Sequence, residues 1–586
     1  MKEIKFNTLP CVEVKGDFPV TQGWTAICKQ LLSDITKINK STNIVAVEYY
    51  QGVLEEIVTE ALVNGLKPSL VINARDLMWS EQKIKTMVYP DVTDDRIFGY
   101  MTRLTIDAYF DPEKVEKARK EITAATGLVL IVGSGAAFAY TTPDILVYAD
   151  MARWEAQLRM RTHEVDNLGV KNRDTADWML LYKQGFFVDW RVLDRWKKKL
   201  MRRWDYLLDT NNRNGAKMVS GKGILAGMEQ SLTRPFSVVP FFDPGPWGGQ
   251  WMKEYCNLDK EKENYAWCFN CVPEENSLLL KFGDVVVETP SINLVFYKPA
   301  ELMGAAVYGR FGDEFPIRFD FLDTIGGGNL SLQVHPTTEY IQEKFGMHYT
   351  QDESYYMLKA VPGAKVYLGL KEGVNPAEMI ADLEAAQAGG APFDAEKHAG
   401  VWPVETHDHF LIPAGTVHCS GAGSMVLEIS ATPYIFTFKM WDWGRMGIDG
   451  KPRAINIEHG KQVIDWSRTT EWTRKNLVNA IEIVDAGDGW VEERTGLHER
   501  EFIETRRHWF TKEVAMNTKD NVHVICLVEG DEMIIESPTN AFEPFEVHYA
   551  ETFIVPACVG AYTMRPYGNG IGQKCGTMLG FVRKNA

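Results

Sequence analysis

Near residue 215 the apolar pattern of this 586-residue chain changes period, and that change restricts the fold more than any other feature. Before it, apolar runs of strand length at Asn43 to Val47, Ser69 to Asn73, Leu128 to Val132 and Asp144 to Tyr148 are each followed by helical spacing. Such alternation predicts a parallel sheet in an α/β domain. A helical stretch dense in Trp and in Arg and Lys is expected from Ala152 to about Leu208, with Trp178, Trp190, Trp196 and Trp204 as a packing stripe. Asn211 to Lys222 then turns polar and glycine-containing, as a domain boundary does. Beyond it, short runs rich in β-branched and aromatic residues are separated by Pro and Gly: Val285 to Thr289, Ala364 to Leu370, His409 to Pro413 and Ser424 to Ser430. This texture predicts an all-β sandwich or jelly roll, with an inserted helix at Asn375 to Ala388. After a helical bridge around Ile457 to Trp466 the strand texture returns at His523 to Glu529, Asp531 to Glu536 and Glu551 to Pro556. Three units are expected: an α/β domain over residues 1–215, an all-β domain with a helical insertion over 216–470, and a smaller β domain over 471–586.

The bulk numbers narrow the partners. A net charge of −16 and a pI near 5.4 argue against nucleic acid or an anionic membrane surface, while leaving room for a local basic pocket. A small molecule is the expected partner, and self-association is left open. Nine cysteines scattered from Cys11 to Cys575 do not make a secreted disulfide framework, which favours a reducing compartment. Met1 to Val20 has no continuous apolar core, and the longest apolar stretch, Gly127 to Tyr140, is short and glycine-broken. A cytoplasmic location is the expectation.

The chemistry-bearing residues fall in the middle unit. Ser331-Leu-Gln-Val-His-Pro336 places Gln333 and His335 two apart on a predicted strand, so both side chains leave the same face. Phe410-Leu-Ile-Pro-Ala-Gly-Thr-Val-His418 has the form Pro-x-Gly-x-x-His, in which Pro413 and Gly415 shape a turn that aims His418 back towards them. It is the second cupin motif without its leading Gly, His407 standing in that place. Between the two, Glu353 opens another predicted strand. Two imidazoles, a carboxylate and an amide oxygen form a mixed nitrogen and oxygen set suited to Zn²⁺, with Fe²⁺ and Mn²⁺ left open.

These fragments, in this order, resemble the class I mannose-6-phosphate isomerases, especially their shorter form. The resemblance begins at Arg234-Pro-Phe and Trp247-Gly-Gly, and continues through Phe315-Pro, Phe321-Leu-Asp323, the Gln333 to Pro336 box, Glu353 and Pro413-Ala-Gly-Thr-Val-His418. It ends at Leu427-Glu-Ile and Trp441-Asp-Trp-Gly-Arg445, covering roughly residues 225 to 470. It implies a cupin fold, zinc held by Gln333, His335, Glu353 and His418, Arg445 in the active site, and a sugar-phosphate substrate. The implied reaction interconverts mannose 6-phosphate and fructose 6-phosphate through an enediol, with Glu428 or Lys439 as candidate proton carrier. Alternatives are a metal-binding cupin that senses or binds a sugar or sugar phosphate without turnover, and an isomerase of a different sugar.

The departures from that pattern concern the substrate more than the metal. Phe315-Pro-Ile-Arg-Phe-Asp-Phe-Leu322 has Asp320 where the family has a lysine, with Arg318 on the same strand face as a compensating charge. Tyr265-Ala-Trp-Cys-Phe269 lacks two family acids, and Thr337 and Thr338 replace charged residues. In the last unit Phe553 to Tyr562 echoes the His418 motif with Ala561 at the ligand position, so no metal is expected there. The first unit has the strand and helix order of a P-loop nucleotide kinase, but Glu48-Tyr-Tyr-Gln-Gly-Val-Leu54 contains no Gly-x-x-x-x-Gly-Lys-Ser/Thr. A degenerate kinase-like domain is expected, structural or dimerising in role. Gly133-Ser-Gly135, Asp144 to Arg153, Arg159 and Arg161 are the remnants from which an anion site could be built. The pair Cys268 and Cys271 lacks a partner pair for zinc.

Overall fold

The computed structural model describes residues 5–431, 436–446, 453, 455–496 and 498–583. Its first sheet contains five parallel strands, spatially ordered Leu70–Asn73, Gly127–Gly133, Thr42–Tyr49, Ile145–Asp150 and Tyr206–Asp209. Numbered along the chain, the order is 2-3-1-4-5. These strands read as near-continuous apolar runs because helices cover both faces of a parallel sheet; Val45, Ala46 and Val47 are fully buried.

Two expectations for this unit need correction. The helical region does not reach Leu208: helices Arg153–Arg161, Trp178–Gln184 and Trp190–Leu200 end before Tyr206–Asp209, which is the fifth parallel strand. Four residues are too few for periodicity to separate a strand from the tail of a helix. Nor does the sheet end at residue 215, since Lys217–Ser220 pairs antiparallel with Tyr206–Asp209 and then with Val20–Gln22. The polar segment before it is a hairpin turn rather than a linker. Cys11–Glu13, in contrast, leaves the first unit and pairs in parallel with Ser277–Phe282, in a three-stranded sheet completed by Val285–Pro290.

The glycine turn at Gly133 to Gly135, a candidate anion site, is occupied from within. Glu48, at the end of the central strand, is fully buried and accepts hydrogen bonds from the backbone N–H groups of Gly135 and of Ala137, the latter at 2.8 Å. The glycine turn therefore cradles a carboxylate of the protein itself. Burial pushes the Glu48 carboxyl up to about 7, against the lowering pull of the Ala137 and Gly135 donors. A carboxyl raised on folding contributes stability that is complete below its unfolded value and is lost as pH rises through 7. Glu48→Gln keeps an acceptor but cannot ionise. The stability of the wild type relative to this variant is expected to fall by about 3 kcal/mol between pH 4.5 and pH 8, measured by denaturant unfolding at both ends; parallel pH curves would refute it. Arg159 is likewise used internally, by the carbonyls of Gly52, Thr210 and Asn211, and Arg161 makes a two-pronged pair with Asp243.

The middle unit is two facing sheets. One has the order His409–Ile412, Glu353–Ala360, Ser424–Ser430, Arg318–Asp323, Trp267–Cys271, Phe241–Asp243; the other Ala399–Pro403, Lys365–Leu370, His418–Ser420, Leu332–Val334, Phe438–Trp441. All pairings are antiparallel. The inserted helix runs Pro376–Gln387, its first turn capped by the Asn375 side chain, and the bridging helix is Ile457–Val463. The C-terminal unit also has two sheets, of six and four strands. Its strand Ala561–Pro566 carries exposed Ala561 at the position matching His418.

Candidate metal centre

Strand register gathers the site. Gln333 lies between two neighbours in its sheet, His418 on one side and Lys439 on the other, so three polar side chains form one row. His335 follows on the same face two residues later. In the facing sheet Glu353, Ser430 and Arg318 form one row, and Tyr355, Glu428 and Asp320 the next.

Glu353 closes the space between the sheets. Its two oxygens meet His418 Nε2 at 2.8 Å and His335 Nε2 at 3.1 Å, and all three side chains are fully buried. The Gln333 amide lies 3.1 Å from His418 Nε2. Its oxygen and nitrogen are interchangeable by a half-turn, so the amide can present oxygen to the same point. Gln351 donates to Glu353 Oε2 at 2.9 Å.

The imidazole tautomers follow from their outer partners. His335 Nδ1 lies 2.9 Å from the Phe436 carbonyl and His418 Nδ1 lies 2.8 Å from the Thr416 carbonyl. A carbonyl only accepts, so each Nδ1 carries a proton, and in the neutral ring each Nε2 is left to present a lone pair. With neutral imidazoles, two lone pairs and a carboxylate converge, and among the described residues His335 Nε2 and Glu353 Oε1 have no hydrogen-bond partner. A cation satisfies all of them, which is the arrangement of a histidine metal ligand with its second nitrogen held by a carbonyl. Among the described residues this is the only group of three His, Cys, Asp or Glu side chains with ligand atoms close enough to hold an ion, within 4.8 Å of one another. The pair Cys268 and Cys271 is buried without such company.

The turn that delivers His418 is tied to both other ligand segments. Gly415 (φ 87°) donates to the His335 carbonyl at 3.0 Å, and Ala414 donates to the Asp352 side chain at 2.7 Å. An added Cβ at Gly415 would meet the Val463 carbonyl at 2.9 Å, on top of the backbone strain of a left-handed residue. His407, standing where the motif has Gly, adopts φ 74°. Its ring binds the Tyr356 hydroxyl at 2.8 Å and Glu529 of the C-terminal unit at 3.2 Å.

The proposed proton carriers lie on opposite walls. Lys439 is half-buried, and its amine has no hydrogen-bond partner among the described residues; burial, then the charges of Arg453 and Arg445 working against Asp442, bring it down to about 8. Glu428 is buried and held well above the usual carboxylate range by burial and by the charges of Glu353 and Asp320. Arg445 stands further along the wall, donating to Asp442 at 2.9 Å and to the Asn329 carbonyl, while Arg453 meets the other Asp442 oxygen at 2.8 Å. Lys439, Arg445 and Arg453, all half-buried, bring positive charge to the wall beside Gln333, with Asp442 between the two arginines. Asp320 is buried against Arg318 at 2.7 Å, its carboxyl raised to about 6 by burial even against that guanidinium.

Sequence reading missed Gln351, Tyr355 and Arg453. The first two were accessible from strand period, lying two residues either side of Glu353. Arg453 carries no local signal, because only the fold brings it to Asp442.

A family model described as a domain of unknown function (DUF8485) matches residues 23–233. Mannose-6-phosphate isomerase of Streptococcus mutans is 27% identical over 220 residues, 37% of this chain and 64% of that protein. The probable mannose-6-phosphate isomerase GmuF of Bacillus subtilis is 24% identical over 235 residues, 40% of this chain and 69% of its own length. The chain thus spans just under two thirds of the streptococcal relative. A crystal structure of the mannose 6-phosphate isomerase from Bacillus subtilis aligns over 59% of this chain and 99% of that chain, with 17% identity and a TM-score of 0.47.

Proposed function

We propose that the protein is a metal-dependent aldose–ketose isomerase interconverting mannose 6-phosphate and fructose 6-phosphate. The observation that carries this reading is the convergence of two Nε2 lone pairs on the Glu353 carboxylate beside Gln333, and the names of its sequence relatives support it. Gln333, His335, Glu353 and His418 would hold the metal, with Zn²⁺ as the ion that suits this donor set. When bound, such an ion polarises the sugar carbonyl and stabilises negative charge on its oxygen.

The rest falls to side chains. Isomerisation moves a proton from the carbon next to the carbonyl onto the carbonyl carbon, and another from the hydroxyl of the first carbon to the oxygen of the second. Lys439, beside Gln333 in the sheet and titrating near 8, is a base of useful strength at neutral pH. Glu428, on the facing wall with its carboxyl held well above the usual range by burial and by Glu353 and Asp320, is suited to supply a proton. Arg445 and Arg453, on the wall beside Gln333, give a phosphate group fixed positive charge.

The whole-chain proposal has three parts: a degenerate P-loop kinase-like domain from residue 1 to about 215, extended here to about 233, a catalytic cupin domain to about 470, and a metal-free cupin-like domain to 586. The parallel order 2-3-1-4-5 supports the first assignment. The loop from Glu48 to Leu54, which lacks the P-loop lysine and hydroxyl, argues against nucleotide binding, and Glu48 fills the Gly133 to Gly135 turn that could otherwise have taken an anion. Nine unpaired cysteines support a cytoplasmic setting, and among the described residues no helix is long and apolar enough to cross a membrane. The partner is a small sugar phosphate, with neither nucleic acid nor membrane involved, and self-association is compatible with the fold.

One observation favours a second reading, a sensor or an isomerase of another sugar: Asp320, where the resemblance expects a lysine, is bound up with Arg318 and offers substrate no cation. The test is conversion of fructose 6-phosphate to mannose 6-phosphate before and after removing and restoring zinc. Zinc-dependent conversion is expected. Zinc binding without conversion would transfer support to the second reading, and failure to bind any divalent metal would dispose of both.

A further inference from the structure

The two imidazoles of the centre are oriented from different parts of the molecule. His418 leans on the Thr416 carbonyl, in a turn held by Arg468, which donates to the Pro413 carbonyl at 2.6 Å and to the Thr416 hydroxyl. His335 leans on the Phe436 carbonyl, and the Phe436 ring is packed by the N-terminal unit. Residues 93–102, which follow the helix Glu81–Val92, lie against the middle unit. Met101 donates to the Phe345 carbonyl at 2.9 Å, and Asp95 meets His459 Nε2 at 3.1 Å, whose Nδ1 is 2.7 Å from the Tyr340 hydroxyl.

Between those polar ties Phe98, 1% exposed, stacks on Phe436 at 6.1 Å and 16°. Phe345 and Phe438 pack on Phe98 at 5.1 and 5.4 Å, and Phe187, also from the N-terminal unit, meets Phe436 edge-on at 6.2 Å. The Phe436 ring is fully buried, so its place, and with it the carbonyl of the same residue, is set in part by side chains more than 240 residues earlier in the chain.

We propose that Phe98 is a positioning residue for the metal centre: by docking Phe98 and Phe187 on Phe436, the N-terminal unit fixes the carbonyl that orients His335 and thereby sets metal affinity. The inference rests on reading His335 as a metal ligand. Its physical basis is the sensitivity of a metal site to the group that holds a ligand's second nitrogen, where loss of the partner costs about 10- to 100-fold in affinity. Removing the Phe98 ring leaves a cavity against Phe436, and close-packed interiors relax into such space by small backbone shifts. It assigns the N-terminal unit a task that needs no nucleotide, in accord with the self-filled glycine turn at Glu48.

The test is zinc affinity of the metal-free full-length protein, measured by competition with a chromophoric chelator, for wild type and for Phe98→Leu, Phe98→Val and Phe98→Ala, with melting temperatures taken on the metal-free forms. Zinc dissociation constants are expected to rise in step with the volume removed, within about twofold for Phe98→Leu and about tenfold for Phe98→Ala. Unchanged zinc affinity in variants whose melting temperature has fallen would reduce Phe98 to a core residue and overturn the proposal. If Phe98→Ala does not fold, Phe98→Val decides by the same criterion. A wild type that takes up no zinc defeats the metal reading itself, an outcome separate from equal affinity across the series.

Discussion

His418→Ala is expected to abolish zinc-dependent isomerisation while leaving the chain folded. The imidazole supplies one of four donors, and a four-donor zinc site binds with about 10–16 kcal/mol in all, so one donor carries about 3 kcal/mol, on the order of 100-fold in affinity. Turnover should fall further, by about 1000-fold or more, because the several kcal/mol of charge stabilisation offered by a correctly held ion is lost as well. Folding is expected to survive: His418 sits on a three-residue strand whose neighbours are held by backbone pairing, and the turn before it is fixed by Asp352, the His335 carbonyl and Arg468. Zinc content by mass spectrometry, circular dichroism and the isomerase assay, run on one preparation, check the three parts. A variant that retains stoichiometric tight zinc and full turnover would remove His418 from the centre.

Arg318→Met is expected to give the largest loss of stability among single changes in the middle unit, about 3–5 kcal/mol. Arg318 is buried and bonded to Asp320, and the carboxylates of Glu428, Glu275 and Glu274 also feel its charge. Taking the guanidinium away leaves ionised groups in a medium that solvates them poorly. Asp320, already raised to about 6 with its partner present, would rise further without it. Because a carboxyl raised on folding loses its stabilising contribution as pH rises through its folded value, the variant's deficit should shrink on acidification below pH 6 and grow above it. The double change Arg318→Met with Asp320→Leu should recover most of the loss, since an apolar pair in place of a buried ion pair is close to neutral. Denaturant unfolding of the three variants at pH 5 and pH 8 gives the comparison. A single change that costs less than 1 kcal/mol at pH 8 would mean that water reaches the pair.

That ion pair changes the meaning of a sequence departure. Asp320 in place of lysine looks like an inverted charge at the substrate; in the folded chain it is half of a buried neutral couple. Asp320→Lys would therefore set two cations side by side instead of restoring a substrate contact. The cations on the wall beside Gln333 are Lys439, Arg445 and Arg453, grouped around Asp442.

The parts of this protein legible in its sequence are those encoded within a few residues. Period two placed Gln333 and His335 on one face, Pro413 and Gly415 announced the turn that aims His418, helical spacing marked the inserted helix at Asn375 to Ala388, and apolar runs found four of the five parallel strands. Each is a statement about neighbours at i+2, i+3 or i+4, where backbone geometry alone relates side chain to side chain. What spans the chain was decided by packing: Glu353 lying between two imidazoles of the opposite sheet, Glu48 filling the glycine turn that follows another strand 80 residues away, Tyr206–Asp209 joining as a strand, and Phe98 reaching Phe436. These contacts arise because buried polar groups must find partners and buried rings must fill space, and the partner is whichever group the sheet register brings within reach.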